Sequence, residues 1–151
     1  MEQKIDRFRG KYRFLSNFFE AFVKASDGTE FPTVEQAYQY DKFSESWPTH
    51  KAVREKLKAA RSPGEAKRIA GANKDLVPAE FHNNKLHIMR RLLEQKFRFG
   101  SKLARQLMDT GDADLIEGNQ WGDIFWGVCR GKGENHLGRL LMEIRNELLG
   151  R

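Results

Sequence analysis

Carboxylates, an ammonium group and aromatic rings occur close together in three short segments of the chain. These segments are Phe14–Phe18, Thr33–Phe43 and Trp121–Gly127. Aromatic faces can hold a flat heterocycle, whereas a carboxylate can orient a hydroxyl, accept a proton or stabilise a developing positive charge. The residue types therefore indicate a site for a small ligand that carries both a ring and hydroxyl groups.

Glu35 and Lys42 lie on one face of a predicted helix. If Thr33 caps this helix, Glu35 lies in the first turn, where the positive end of the helix dipole favours its ionised form. Lys42 is then about 20° around the helix from Glu35 and about 10 Å further along it, with Tyr38 between them. This spacing is long enough to hold a sugar. The alternative is that Glu35 only stabilises the helix start and Lys42 is solvated.

Two further segments allow both a functional and a structural interpretation. Asp123 lies between Trp121 and Trp126, which suits a flat base and a sugar hydroxyl, but an Asp turn over core tryptophans would give the same pattern. The glycine-containing segment 131–135 precedes a predicted helix at Asn135 and could bind a phosphate, or it could be a plain loop with a helix cap. Both alternatives remain open.

The elements that must position these residues are mostly helices. Asp27-Gly28 predicts an antiparallel hairpin between Phe22–Val23 and Thr29–Phe31. Extended segments are predicted at 115–117 and 124–128, and helices at 33–43, 48–59, 63–71, 79–99, 102–109 and 135–150. We therefore expect a single α+β domain over residues 1–151, mostly helical with a small antiparallel β element. A doubly wound nucleotide-binding fold is disfavoured because strands and helices do not alternate.

Composition limits the partners and the compartment. The formal net charge of +6 favours an anionic partner, although 27 basic residues are interleaved with 21 acidic ones. Cys129 is the single cysteine, so no intrachain disulfide can form. The start of the sequence, Met1–Arg7, lacks the apolar core of a signal peptide, and no apolar stretch reaches the length of a membrane span. We expect a cytoplasmic protein.

Metal and covalent serine or cysteine chemistry are not favoured by the sequence. The histidines at 50, 82, 87 and 136 share no ligand spacing, and Asp112, Asp114 and Glu117 lack the pattern of a calcium loop. A nucleophile elbow is absent, and no histidine is placed by sequence to activate Cys129. We expect no metal and no cofactor.

A series of motifs covers nearly the whole chain. They are Phe-Leu-Ser-Asn-Phe (14–18), Phe-Pro-Thr-Val-Glu-Gln-Ala-Tyr-Gln (31–39), Lys-Phe (42–43), Pro-Gly-Glu-Ala-Lys (63–67), Lys85 with Met89, Lys-Phe (96–97), Asp-Thr-Gly-Asp (109–112), Leu-Ile-Glu (115–117), Trp126-Gly127 and Gly-Glu-Asn-His-Leu-Gly-Arg-Leu-Leu-Met (133–142). In this order the set strongly resembles the YbiA-like NADAR family. The resemblance implies a YbiA-like fold and an N-glycosidase, a hydrolase acting on N-glycosyl bonds.

The resemblance also implies substrates and site residues. Two substrate classes are implied: phosphorylated ribosylamino-pyrimidine intermediates of riboflavin biosynthesis, and ADP-ribose attached to guanine in nucleic acid. Glu35 matches the catalytic glutamate of the family, Asp123 and Trp126 match its acidic and tryptophan positions, and Lys42 and Asn17 match other pocket positions. We therefore expect catalytic roles for Glu35, Lys42 and Asp123. Substrate contacts are expected from Asn17, Tyr38, Phe81, Lys85, Trp126 and Asn135.

One departure from the family and three readings of the function remain. Phe81 stands four residues before Lys85, where many members have tryptophan, so the indole N–H donor is lost and base selectivity is open. The preferred function is cleavage of riboflavin-pathway intermediates. One alternative is removal of ADP-ribose from guanine in nucleic acid. Some basic residues of the long helix could then contact the nucleic-acid backbone, although a solvated helix face is the preferred interpretation of them: Lys85, Arg90, Arg91, Lys96 and Arg98. The other is a non-catalytic ADP-ribose or nucleotide-binding module.

Overall fold

Helices make up most of the structure, a computed structural model that describes residues 3–151. The α-helices of this part of the chain are α1 (Val34–Asp41), α2 (Pro48–Lys58), α3 (Pro63–Ala72), α4 (Ala79–Lys96), α5 (Lys102–Met108) and α6 (His136–Leu148). The strands are β1 (Lys4–Ile5), β2 (Val23–Lys24), β3 (Glu30–Phe31), β4 (Asp114–Leu115), β5 (Gly118–Asn119) and β6 (Val128–Cys129). Short 3-10 helices cover Gly10–Leu15 and Lys74–Leu76. The mostly helical α+β class expected from the sequence is confirmed.

The chain forms two compact units, of which one spans Glu20–Lys96. It contains the β2–β3 hairpin and helices α1 to α4, with α1 packed against both α3 and α4. Two helix starts follow the predicted caps, because Thr33 accepts a hydrogen bond from the Gln36 backbone N–H and Ser62 accepts one from that of Glu65. The caps fix where α1 and α3 begin, and α1 is buried along its whole length.

The predicted hairpin is confirmed as an antiparallel pair in which Val23 lies opposite Phe31. Gly28 has a φ of +91°, a conformation that glycine adopts without strain, and Asp27 accepts a hydrogen bond from the Thr29 backbone N–H. The hairpin is tied to α1 because Ser26 donates two hydrogen bonds to Asp41. Burial nevertheless raises the pKa of Asp41.

The other unit combines the chain up to Phe19 with Phe97–Arg151. Its two-stranded sheets pair β1 with β4 and β5 with β6, and both pairs are parallel. The antiparallel β element expected from the sequence is the β2–β3 hairpin, whereas the parallel pairs of this unit, and β1 itself, were not predicted. The segment predicted as extended at 124–128 is irregular up to Gly127, and only its last residue lies in β6. Strands of two residues carry no alternation that a sequence could reveal.

Gly138 in α6 occupies a position with no room for a side chain. A methyl group there would collide with the Leu115 carbonyl oxygen and the Asn135 carboxamide. We expect Gly138→Ala to lower the free energy of unfolding by about 2 kcal/mol or more, since the overpacking outweighs the better helix propensity of alanine. Gly71→Ala in α3 is the matched control, because a methyl group there meets no atom within 4 Å. Urea unfolding should show the control unchanged or slightly stabilised, and equal effects of both substitutions would contradict the packing argument.

Lys96, the last residue of α4, is buried with 3% of its surface exposed. Burial lowers the pKa of Lys96 from 10.5 to about 7. Between these two values the unfolded chain binds a proton that the folded chain does not, so the free energy of unfolding rises with pH across this window. Below the folded-state pKa of Lys96 the buried ammonium is charged, and its full cost lowers the free energy of unfolding. Burial of Lys96 contradicts both sequence-based interpretations of this residue, the solvated helix face and the contact with a nucleic-acid backbone.

The contribution of Lys96 can be measured by comparing the wild type with Lys96→Met. We expect the difference in unfolding free energy between the two proteins to change by up to about 1.4 kcal/mol per pH unit above about pH 7, with the wild type gaining. Urea unfolding at several pH values between about 6 and 9 provides the measurement. Parallel pH profiles for the two proteins would show that Lys96 keeps its ordinary pKa in the fold.

Candidate active site

Glu35 lies in the first turn of α1, as the capping argument predicts. Thr33 is the N-cap, and the Glu35 side chain is largely buried, with 9% of its surface exposed. The Gln39 carboxamide, one helical turn later, donates a hydrogen bond to Glu35 Oε2 at 2.5 Å. The carboxylate is therefore held in one orientation near the positive end of the helix. Sequence reasoning did not select Gln39, although its spacing of four residues from Glu35 was a usable signal.

Lys42 and Tyr38 meet further along the same helix. Lys42 is the C-cap of α1, and its Nζ lies 5.3 Å from the centroid of the Tyr38 ring, within the range of a cation–π contact. The predicted alignment of carboxylate, ring and ammonium along one helix follows from the observed α1. The contact holds the ammonium group of Lys42 beside the Tyr38 ring.

Phe81 joins this group from α4. Its ring centroid is 5.4 Å from that of Tyr38, with the planes inclined by 59°. Both rings are buried, and Lys85 follows Phe81 by one helical turn and is partly exposed. Of the other basic residues considered for a nucleic-acid surface, Arg91 and Arg98 are exposed, while Arg90 forms an ion pair with Glu94 at 3.3 Å. The unit Glu20–Lys96 thus brings together the carboxylate, the aromatic pair and the cation that the sequence selected.

Asp123 belongs to the other unit and forms a turn. Its Oδ1 accepts hydrogen bonds from the backbone N–H groups of Phe125 at 3.2 Å and Trp126 at 2.9 Å. The Asn119 carboxamide holds the backbone of Asp123 through one accepted and one donated bond. Oδ1 of Asp123 therefore forms the turn that the structural interpretation predicts. Oδ2 takes no part in these bonds, and a functional role of Asp123 through Oδ2 stays a prediction.

Trp126 lies in an aromatic group with Phe125 and His136. The Phe125 ring is 4.8 Å from that of Trp126 and 4.5 Å from that of His136. Trp126 is partly exposed and Trp121 is largely exposed. His136 and Asn119 were not among the predicted site residues, because neither stands at a diagnostic spacing from Asp123.

Asn135 performs a structural task at the start of α6. Its Oδ1 accepts from the Glu117 backbone N–H and its Nδ2 donates to the Leu115 carbonyl, each at 3.0 Å. The residue itself has a φ of +54° and makes no side-chain cap. Phosphate binding by the 131–135 segment stays a prediction, and any contribution of the Asn135 carboxamide must be made while it holds these two backbone groups.

Asn17 follows the 3-10 helix Gly10–Leu15 and is buried, with 8% of its surface exposed.

Within residues 3–151 no three histidine, cysteine, aspartate or glutamate side chains are grouped in a way that could hold a metal ion. Cys129 is buried and is not part of a disulfide. In the same range no helix has the length and apolar character needed to span a membrane.

Comparison with known proteins identifies relatives over almost the whole chain. The sequence model of the NADAR domain family matches residues 6–149. The riboflavin biosynthesis protein PYRR of maize (Zea mays) is 37% identical over 146 residues, which cover 90% of this chain and 23% of the maize protein. The N-glycosidase YbiA of Escherichia coli is 33% identical over 138 residues, covering 91% of this chain and 82% of YbiA.

A solved structure supports the same relation. The NMR structure of the E. coli protein YbiA matches with a TM-score of 0.80 at 32% identity, covering 99% of this chain and 87% of that one. The chain spans less than a quarter of the length of the maize protein.

Proposed function

The chain belongs to the NADAR domain family, and we propose that it is an N-glycosidase that hydrolyses the bond between ribose C1 and an exocyclic amine of a base. The observation that carries the proposal is the buried carboxylate of Glu35, fixed by Gln39 on the same helix face as Tyr38 and Lys42. The names of relatives, an N-glycosidase and a riboflavin biosynthesis protein, support phosphorylated riboflavin-pathway intermediates as the substrate class.

In this proposal Glu35 transfers a proton during opening of the ribose ring. The bond between C1 and the ring oxygen breaks as the amine nitrogen forms a double bond to C1. Glu35 accepts the proton that this nitrogen loses and returns it to the ring oxygen, so charge is conserved. A carboxylate that is fixed before the substrate binds needs no reorganisation during this transfer, and such a group contributes about 10²–10⁴-fold to a rate.

Lys42 then exchanges one amine for another at C1. Its neutral amine adds to the open-chain imine and passes one proton to the base nitrogen. The bond between C1 and that nitrogen then breaks as it takes the second proton of the lysine nitrogen, so the base leaves as a free amine and an imine joins Lys42 to C1. Water adds to C1, the bond to Lys42 breaks, and the sugar leaves as an aldehyde with the lysine restored. No cofactor is consumed in any step.

The remaining predicted residues are assigned to binding. Tyr38 and Phe81 supply aromatic surface for the base, and Lys85 supplies a positive charge for phosphate. From the family resemblance, a contact with the ribose hydroxyls through Oδ2 stays a proposal for Asp123. Substrate contacts of Asn17, Trp126 and Asn135 stay proposals on the same ground.

The substrate is tested by offering both classes separately. We expect mass spectrometry to detect free base and ribose phosphate from a phosphorylated ribosylamino-pyrimidine, and slower release or none from guanine carrying ADP-ribose in an oligonucleotide. Faster turnover of the oligonucleotide would show that nucleic acid carrying ADP-ribose is the preferred substrate. The net charge of +6 and the exposed Arg91 and Arg98 would fit that result. Binding of both without any product would show a non-catalytic module and defeat the proposal.

A further inference from the structure

A cavity in the unit formed by the chain up to Phe19 and Phe97–Arg151 contains none of the predicted site residues. Its volume is about 600 Å³, within the range of small-molecule pockets. The cavity is lined by Ile5, Lys11, Tyr12, Phe14, Gln106, Asp109 and Thr110. These residues come from β1, the 3-10 helix Gly10–Leu15, and α5 with the turn that follows it.

The apolar part of the lining is rigid and aromatic. Ile5 and Phe14 are buried, so the unit's core holds them in place. Tyr12 is partly exposed, and the Lys11 Nζ lies 5.1 Å from the centroid of its ring. This contact holds the exposed ammonium beside the aromatic wall. The cavity therefore combines a flat apolar surface with a cation next to it.

Thr110, one of the lining residues, is hydrogen-bonded to a buried cation, Arg145. Thr110 Oγ1 donates to the Leu107 carbonyl at 2.6 Å and accepts from Arg145 Nη1 at 2.9 Å. Arg145 is buried with 4% of its surface exposed, and within residues 3–151 its Nε has no hydrogen-bond partner. The carboxylates of Asp112 and Asp114 act on this guanidinium, so they offset part of the positive charge behind Thr110.

The polar groups define the ligand chemistry. In the lining, Lys11 carries a positive charge and Asp109, at the exposed rim, carries a negative one. Lys11 is therefore the group of the lining that can pair with an anionic group of a ligand. The Gln106 carboxamide lines the cavity and can both donate and accept, as the edge of a pyrimidine or similar ring requires.

We propose that this cavity is a second binding site, distinct in its residues from the glycosidase site, for a ligand with one flat hydrogen-bonding ring and one anionic group, the chemistry of a mononucleotide. The ring lies against Tyr12 and Phe14 with its edge at Gln106. The anionic group lies at Lys11.

The test titrates the ¹⁵N-labelled protein with uridine 5′-monophosphate and follows backbone amide shifts. We expect saturable shifts in residues 10–15 and 104–111. Gln106→Leu should weaken binding at least about fivefold, and Lys11→Met should weaken binding of the nucleotide but not of uridine, which lacks the phosphate. Lys102→Met is the matched control, because Lys102 is an exposed lysine of α5 outside the lining.

Two results would overturn the second site: no saturable shift in these segments at 10 mM nucleotide, or unchanged affinity in both lining variants. Lys11 is exposed, so its replacement leaves the fold intact, and the amide spectrum of each variant verifies this. The same titration of Glu35→Gln should give unchanged shifts in residues 10–15 and 104–111. Failure of the second site is thereby separate from failure of the glycosidase proposal, which is judged by product release.

Discussion

Glu35→Gln is expected to lower kcat for the phosphorylated ribosylamino-pyrimidine by about 10³-fold while the protein remains folded. Glutamine has the size of glutamate and keeps an oxygen that can accept the hydrogen bond from Gln39. It lacks the negative charge and cannot carry a proton between the amine and the ring oxygen. The loss should therefore fall on kcat, with KM changed little, because the carboxylate acts in the reaction more than in ground-state binding.

The control for this prediction is Glu30→Gln, which removes the same charge from an exposed position in β3. It should leave kcat within about twofold of the wild type, since exposed charges far from a reaction are screened. Circular dichroism and urea unfolding show whether each variant is folded. If Glu35→Gln turns over substrate at the wild-type rate, the catalytic assignment of Glu35 is wrong and its role is that of a helix-start residue.

Local sequence signals predicted the helix that carries Glu35 and Lys42. Thr33 and Ser62 are capping residues whose side chains act within one turn, so their effect depends on neighbours along the chain and not on the fold. The Asp27-Gly28 turn is local in the same sense. The order of Glu35, Tyr38 and Lys42 on one face then follows from helix geometry alone.

Local sequence signals did not predict contacts between segments that are distant along the chain. The parallel pairing of Lys4–Ile5 with Asp114–Leu115 joins strands too short to show a period of two. The contact of Phe81 with Tyr38 depends on how α4 packs on α1, and the family resemblance named Phe81 without predicting this contact. Burial of Lys96 was missed because a lysine at a helix end normally extends into solvent.

The sequence left two interpretations of Asp123 open, a turn residue and a substrate contact, and the hydrogen bonds of the two carboxylate oxygens bear on them separately. Oδ1 is committed to the turn that leads to Trp126. A substitution that removes both oxygens would therefore disrupt the turn together with any substrate contact. This is why the roles of Glu35 and Lys42 give cleaner tests of the mechanism.

Sodium borohydride added during turnover is expected to attach the sugar to Lys42 irreversibly. Reduction of the imine between Nζ and C1 gives a stable secondary amine, and peptide mapping locates the added mass of the reduced ribose phosphate. Lys42→Arg keeps the positive charge but cannot form an imine, so it should yield no adduct and lower kcat by about 10²-fold or more. Lys85→Met, which removes the positive charge assigned to phosphate, should raise KM and still be trapped.

The trapping experiment distinguishes an imine at Lys42, phosphate binding by Lys42 and an imine at another lysine, because each gives a different result. An adduct on the Lys42 peptide requires a covalent bond to C1. If Lys42 binds only phosphate, no adduct forms and Lys42→Arg retains turnover, because arginine also binds phosphate. An adduct on Lys96 would move the covalent step to another residue, one whose pKa of about 7 makes its neutral amine abundant at that pH. The imine assignment to Lys42 stands only if the adduct and the loss of turnover occur at the same residue.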